Sequence, residues 1–128
     1  MTVKFKVIER GEPGVAGGGT KKYYASTVSS GEMTLNKLTK SIEKVSTVSG
    51  ADIRAVLYAM VDVMKDALSD GQIVRLGDLG SLRISISSNG EATADDVDKN
   101  SVKGARTIFT PSTELKNMLK TIDFKKAD

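Results

Sequence analysis

The stretch GVAGGGTK at residues 14–21 has the G-x-x-x-x-G spacing with which a glycine-rich loop turns backbone N–H groups toward a phosphate. Thr20 and Lys21 stand in the reverse of the order that puts a lysine on the phosphates and a hydroxyl on the magnesium, and the residues after them are strand-like. With no helix start behind the loop, no helix N-terminus would face an anion. The glycines read instead as a loose hairpin loop. A second pattern, DVDKN at 96–100, supplies oxygens at positions 1, 3 and 5 of a calcium loop. Ser101 then takes the place of the turn glycine and Thr107 that of the closing bidentate glutamate, which leaves a solvated acidic tip. The third pattern is cationic. Arg75, Arg83, Lys99, Lys103 and Arg106 fall on the strands and connecting arm of one ribbon, where they could neutralise phosphates. The competing reading is that they are strand-edge charges which keep ribbons from pairing.

The residue types that are missing narrow the chemistry further. The 128 residues include neither histidine nor cysteine, so disulfides, thiolate metal sites and the commonest general base and nucleophile are all absent. A catalytic reading would need Asp95, Asp96 and Asp98 to act together in a pocket, and an exposed loop does not build one. No cofactor is expected. Met60 and Met64 are accounted for as core by the periodicity of their helix. The cysteine-free composition and the lack of a signal peptide or membrane-length apolar run point to the cytoplasm. The net charge of +3 is uneven: the segments 1–31 and 101–128 each carry +3, whereas 91–100 carries −3.

Local patterning supplies the elements that must position these groups. VKFKVI alternates Val3, Phe5 and Val7 against Lys4 and Lys6, the period of a half-buried strand, and KKYYASTV at 21–28 reads as its partner across a loop rich in glycine. Leu35, Leu38, Ile42 and Val45 predict a helix capped by Thr34. Ser49, with Asp52 three residues on, opens a second helix, and Gly71 closes it. The second helix carries Ile53, Val56, Leu57, Met60, Val61, Met64, Ala67 and Leu68, a stripe so wide that it must face more than one partner. Strands follow over 72–76 and 81–87, then a polar loop or arm, then a strand at ARTIFT. A final helix is predicted with Thr110 as cap, Pro111 in its first turn, and Leu115, Met118, Leu119 and Ile122 inside.

This order, together with GQIVRLGDLGSLRI at 71–84, resembles the bacterial histone-like DNA-binding family of HU and integration host factor. The matching residues are Gly71, Val74, Leu76, Leu79, Gly80, Ser81 and Leu82 in the hairpin, then Phe109, Thr110, Pro111, Leu115 and Lys116. The resemblance covers about residues 33–122. It implies an α+β, HU-like fold of two helices, a three-stranded antiparallel sheet with a β-arm and a short C-terminal helix, here preceded by an N-terminal β-hairpin. The expected domains are a strand-pair extension over 1–31, as in a divergent HU-like branch, and an HU-like DNA-binding domain over 32–128. The resemblance further implies an intertwined homodimer whose arms reach round the minor groove and bend DNA, with Gly80 making the hairpin turn and Leu79 pointing into the shared core. There are departures where the family touches DNA. The arm has GEATADDVDKN in place of a basic, proline-bearing run, Asp78 replaces a turn glycine, and of the helix-end lysines only Lys116 keeps a basic position.

The functional expectation is a non-enzymatic, nucleoid-associated homodimer. It holds duplex DNA without sequence preference through Arg75, Arg83, Lys99, Lys103, Arg106 and Lys116, since no base-reading set is visible. The alternative is an HU-derived dimeric interaction protein that has lost most DNA binding and recruits a protein partner through residues 1–31 by strand addition.

Overall fold

The computed structural model describes residues 1–128. In chain order the elements are β1 (Thr2–Arg10), β2 (Lys22–Val28), α1 (Leu35–Val45), α2 (Gly50–Ser69), β3 (Val74–Arg75), β4 (Gly80–Ser88), β5 (Val102–Pro111), α3 (Thr113–Leu119) and β6 (Asp123–Lys126). The strands form two three-stranded sheets, ordered β2-β1-β6 and β3-β4-β5. The fold is thus mixed α+β. No helix is long and apolar enough to cross a membrane. Contacts gather the chain into two units, Met1–Leu38 with Leu119–Asp128, and Thr39–Met118.

In the first unit β1 and β2 pair antiparallel from Lys4 opposite Val28 to Arg10 opposite Lys22. The connecting loop is cinched rather than loose. The Glu12 N–H donates to the Gly18 carbonyl at 2.5 Å and the Gly18 N–H to the Val15 carbonyl at 2.9 Å. A Cβ on Gly11 would lie 2.8 Å from both the Cα and the carbonyl oxygen of Gly18, so this loop needs glycine for backbone contact. The third strand, β6, lies parallel to β1 with Thr2 opposite Asp123 and Phe5 opposite Lys126. Nothing local announces it: the four residues DFKK hold one apolar side chain. The helix expected to run through Ile122 ends at Leu119, and the chain returns to a strand that begins at residue 2.

In the second unit the helix boundaries follow their caps. The Ser49 hydroxyl accepts the Asp52 N–H at 3.3 Å to open α2. At the other end, Gly71 with φ 82° lets its own N–H donate to the Leu68 carbonyl and that of Gln72 to the Ala67 carbonyl, both at 3.0 Å. This crossed pair is the Schellman motif, which satisfies carbonyls the helix would leave orphaned. The α1 helix, whose first turn belongs to the first unit, begins as expected, with the Lys37 N–H donating to the Thr34 hydroxyl at 3.3 Å. The start of α3 is a correction. Ser112, not Thr110, is its cap, accepting the Leu115 N–H at 3.3 Å, and Pro111 is the last residue of β5. Ser112 also ties the helix start to the β3–β4 turn: its N–H donates to the Leu79 carbonyl at 3.2 Å and its hydroxyl to the Asp78 carbonyl.

That turn divides the work of its glycines differently from the expectation. Gly77, with φ 60°, occupies the left-handed position of the turn, which the Leu79 N–H closes onto the Leu76 carbonyl at 3.3 Å. Gly80 is instead the buried first residue of β4, with φ 145°, where a Cβ would stand 2.3 Å from the Thr110 carbonyl oxygen and 2.9 Å from the Phe109 ring. Gly80→Ala must therefore shift backbone as well as bear φ strain, at a cost of about 3 kcal/mol, against about 1 kcal/mol for Gly77→Ala. Urea midpoints followed by circular dichroism test this. A larger loss at Gly77 than at Gly80 would contradict the assignment.

The arm is also more structured than a loop. Two short 3-10 turns, Ala94–Asp96 and Lys99–Ser101, fold the tip back on Ser101, which is only 2% exposed. The Ser101 hydroxyl donates to Glu91 Oε1 at 2.9 Å, and its carbonyl accepts the Asn89 N–H at 2.7 Å. Asp98 is spent as a cap, with Oδ1 accepting the Asn100 N–H at 2.9 Å.

Among the large apolar residues only Ile53 is buried. A compact monomer of 13.6 kDa exposes ~6,600 Å², and two separate bodies of these sizes ~7,900 Å². This chain exposes 10470 Å². On α2, Val56, Met60 and Val63 form a stripe at helical spacing that is 64%, 37% and 68% exposed.

Candidate nucleic-acid interface

Antiparallel pairing puts directly opposed residues on the same side of a sheet, and neighbours along a strand on opposite sides. In the β3-β4-β5 sheet, Arg75 opposes Ser81, Arg83 opposes Ile108, and Ser85 opposes Arg106. Ser81, Arg83 and Ser85 alternate along β4, so Arg75, Arg83 and Arg106 share one face with Ser81, Ser85, Ser87 and Thr110. The opposite face carries Val74, Leu82, Ile84, Ile86 and Phe109. The sheet is therefore two-sided, with hydroxyls and guanidiniums around Ile108 on one side and a mainly apolar layer, with Thr107, on the other.

Of the six cations singled out from sequence, these three are brought together by register. Lys103 falls at the register shift between Ser87, opposite Gly104, and Ser88, opposite Val102, and is the extra residue of the bulge there. The pairing does not place it on the arginine face. Lys99 lies in the folded tip, within the 3-10 turn that Asp98 caps. Lys116 lies on α3 and lines a groove of about 330 Å³ with Arg75, Gly77, Ser81, Thr110 and Ser112. All six side chains are exposed, and none makes an ion pair within the chain. A cation held in water with no carboxylate partner keeps its full capacity for a phosphate oxygen, and guanidiniums can take one bidentately.

The groove adds residues that sequence reading missed. Ser81, Thr110 and Ser112 bring hydroxyls beside Arg75 and Lys116, and the signal for them was the hairpin register: Ser81 stands two residues before Arg83 and opposite Arg75. Hydroxyls and backbone beside paired cations suit the backbone contacts that fix a protein's register on a duplex. Two anions lie near the groove, Asp78 in the turn and Glu114 on α3, and others gather in the arm. Glu91, Asp95, Asp96 and Asp98 all lie in the folded tip, and no three carboxylates converge as a metal site would need.

Two helices ahead of a two-faced antiparallel sheet with an arm, closed by a short helix, define an HU-type domain. A solved structure from Bacteroides vulgatus, described as a candidate bacterial DNA-binding protein, superposes with a TM-score of 0.61 at 15% identity. The match covers 99% of this chain and 50% of that one, and at this identity it is a likeness of fold. No curated protein matches the sequence. The family model HU-HIG, described as an HU domain fused to wHTH, Ig or glycine-rich motif, matches residues 1–126, and the chain belongs to that family. Because the match begins at residue 1, the N-terminal strands are part of the family's pattern.

Proposed function

We propose that this protein is a non-enzymatic, nucleoid-associated HU-like protein that binds duplex DNA as a homodimer, with low sequence preference. The observation that carries the reading is the arginine face: Arg75, Arg83 and Arg106 stand on one polar side of the sheet with no intramolecular ion pair, beside a groove that adds Lys116. Lys99 and Lys103 extend the cationic ribbon toward the arm tip. Contacts of this kind address phosphates, which are the same in every sequence. The homodimer is supported by the uncovered stripe Val56, Met60 and Val63, and by an exposed area well above that of a compact monomer. The tip, net acidic despite Lys99 and without proline, supplies no wedge for the minor groove, so bending by intercalation is not part of the proposal.

The test is a gel-shift titration with two duplexes of unrelated sequence at 50 and 200 mM salt. Expected are equal affinities for both duplexes and a loss of at least about 10³-fold between the two salts, as for six or more phosphates contacted. Reversing the charge of Lys103 and Arg106 should weaken binding to both duplexes alike. Binding indifferent to salt would overturn the proposal.

A second reading has its own observation. In the β2-β1-β6 sheet, β2 is an edge strand, and seven residues of it are open for another chain to pair with. On this reading the dimer is an interaction protein that recruits a partner through residues 1–31. Unaltered duplex binding after Tyr23→Pro, with a captured partner lost, would favour the two roles coexisting; no duplex binding by the intact protein would leave only the second.

A further inference from the structure

The basic residues of the first unit fall on one side of its sheet. Along β1, Lys4, Lys6 and Arg10 alternate with Phe5, Val7 and Glu9. The register puts Lys22 opposite Arg10 and Lys125 opposite Lys4, so all five cations share a face. All five are exposed. The same face holds one carboxylate, Asp123 opposite Thr2, while Glu12 from the loop reaches Lys22 at 3.5 Å. Lys4, Lys6, Arg10 and Lys125 have no ion-pair partner. The other side of the sheet carries Val3, Phe5, Val7, Tyr23 and Phe124, with Glu9 and Lys126 as its only charges, which cancel. A two-sided sheet of this kind concentrates charge where solvation alone would scatter it.

Spacing fits an extended polyanion. Lys4 and Lys6 stand ~7 Å apart along their strand, Lys4 and Lys125 ~5 Å apart across strands, and Arg10 a further ~13 Å on from Lys6. Between Lys6 and Arg10 lies a shallow hollow lined by Ile8, Arg10, Tyr24 and Ser26, which offers a phenol and a hydroxyl beside the guanidinium.

We propose that this lysine-rich face of the β2-β1-β6 sheet is a second contact for the phosphate backbone of duplex DNA, separate from the arginine face. The proposal rests on the DNA-binding reading above and extends it to residues outside the HU-type unit. Each added phosphate contact steepens the salt dependence by about 0.9 in log K against log salt. A single face of three arginines therefore predicts a shallower slope than two faces together.

The experiment compares the full chain with two triple variants on one mixed-sequence duplex over a range of salt: Lys4→Gln, Lys6→Gln, Lys125→Gln, and separately Arg75→Gln, Arg83→Gln, Arg106→Gln. Each variant should lose about three units of slope per chain and bind at least tenfold more weakly at low salt. If the arginine variant loses slope while the lysine variant matches wild type, this proposal falls and the DNA-binding reading stands. If wild type itself fails to bind, both fall. A second measurement needs no variant: lysine acetylation of the wild-type protein with and without duplex, read by mass spectrometry. Lys4, Lys6 and Lys125 should be protected several-fold, and Lys126, next along β6 on the opposite face, should not. Equal modification of all four would overturn the proposal, as would a preference for single strands that Tyr24→Ala abolishes, which would mean stacked bases.

Discussion

Replacing Arg75, Arg83 and Arg106 together by glutamate is expected to abolish duplex binding at 100 mM salt, with a loss on the order of 10³-fold or more. On the proposed reading, three favourable phosphate contacts per chain become three repulsive ones, and a dimer would carry the change twice. At the same time the slope of log K against log salt should fall by about 5, from the six contacts removed. Stability should change little, because the three side chains are exposed and make no ion pair whose loss would strand a partner. Fluorescence anisotropy against salt gives both the affinity and the slope, and a thermal melt checks the fold. A variant that melts normally and binds within threefold of wild type would remove the arginine face from the mechanism. Arginine-to-lysine replacement at the same three positions should keep most of the charge term and lose only the bidentate geometry, so it separates charge from shape.

Met60→Asp is expected to dissociate and unfold the protein. Met60 sits in the middle of the stripe with Val56 four residues before it and Val63 three after it, and all three are uncovered in the single chain. If a second copy covers that stripe, the aspartate enters an apolar seam with no cation to meet it. An uncompensated buried charge costs about 3–5 kcal/mol, and a two-fold dimer carries two of them. Against a total stability of about 5–15 kcal/mol that is decisive. Light scattering after gel filtration should show a dimer for wild type and a monomer or aggregate for the variant, with the helical circular dichroism lost at micromolar concentration. Met60→Leu should be nearly neutral, since volume and apolarity are kept. A Met60→Asp protein that remains a folded monomer would show that the stripe is an ordinary solvent face.

These two outcomes bear on different levels of the same chain. The first concerns a face that exists within one polypeptide, set by which residues oppose one another in the sheet. The second tests the proposal that a second copy completes the core. A unit whose only buried large apolar residue is Ile53 buries little to offset chain entropy, and the proposed association would add to it by removing apolar surface from water.

Local chemistry made much of the fold legible before any coordinates. The α2 helix could be placed almost to the residue, because Ser49 and Gly71 are cap signals that act within a single turn of backbone. The β1 and β2 strands were legible for a similar reason, the period-2 alternation of VKFKVI and the aromatic and β-branched run at 22–28. At the start of α3 the signals conflicted: Pro111 suits a first helical turn, but it also ends β5, and Ser112, one residue later, took the cap because its hydroxyl also reaches the Asp78 carbonyl of the turn and its N–H the Leu79 carbonyl. Gly77 and Gly80 are equally glycine in the sequence. Only the approach of Phe109 and Thr110 to within a Cβ's radius separates their roles.

By itself the sequence determined the alternation of strands and helices, the caps, the missing catalytic residue types and the kinship to HU domains, since each depends on neighbours within a few positions or on a motif read in order. Tertiary structure decided what depends on pairing across the chain: that residues 123–126 return to lie parallel to residues 2–5, that Arg75, Arg83 and Arg106 share a face while Lys103 drops into a bulge, and that the acidic tip folds back onto Ser101. The physical reason is parity. A strand presents alternate residues to opposite sides, so a shift of one in register exchanges the two faces, and that register is set by contacts between residues far apart in the chain.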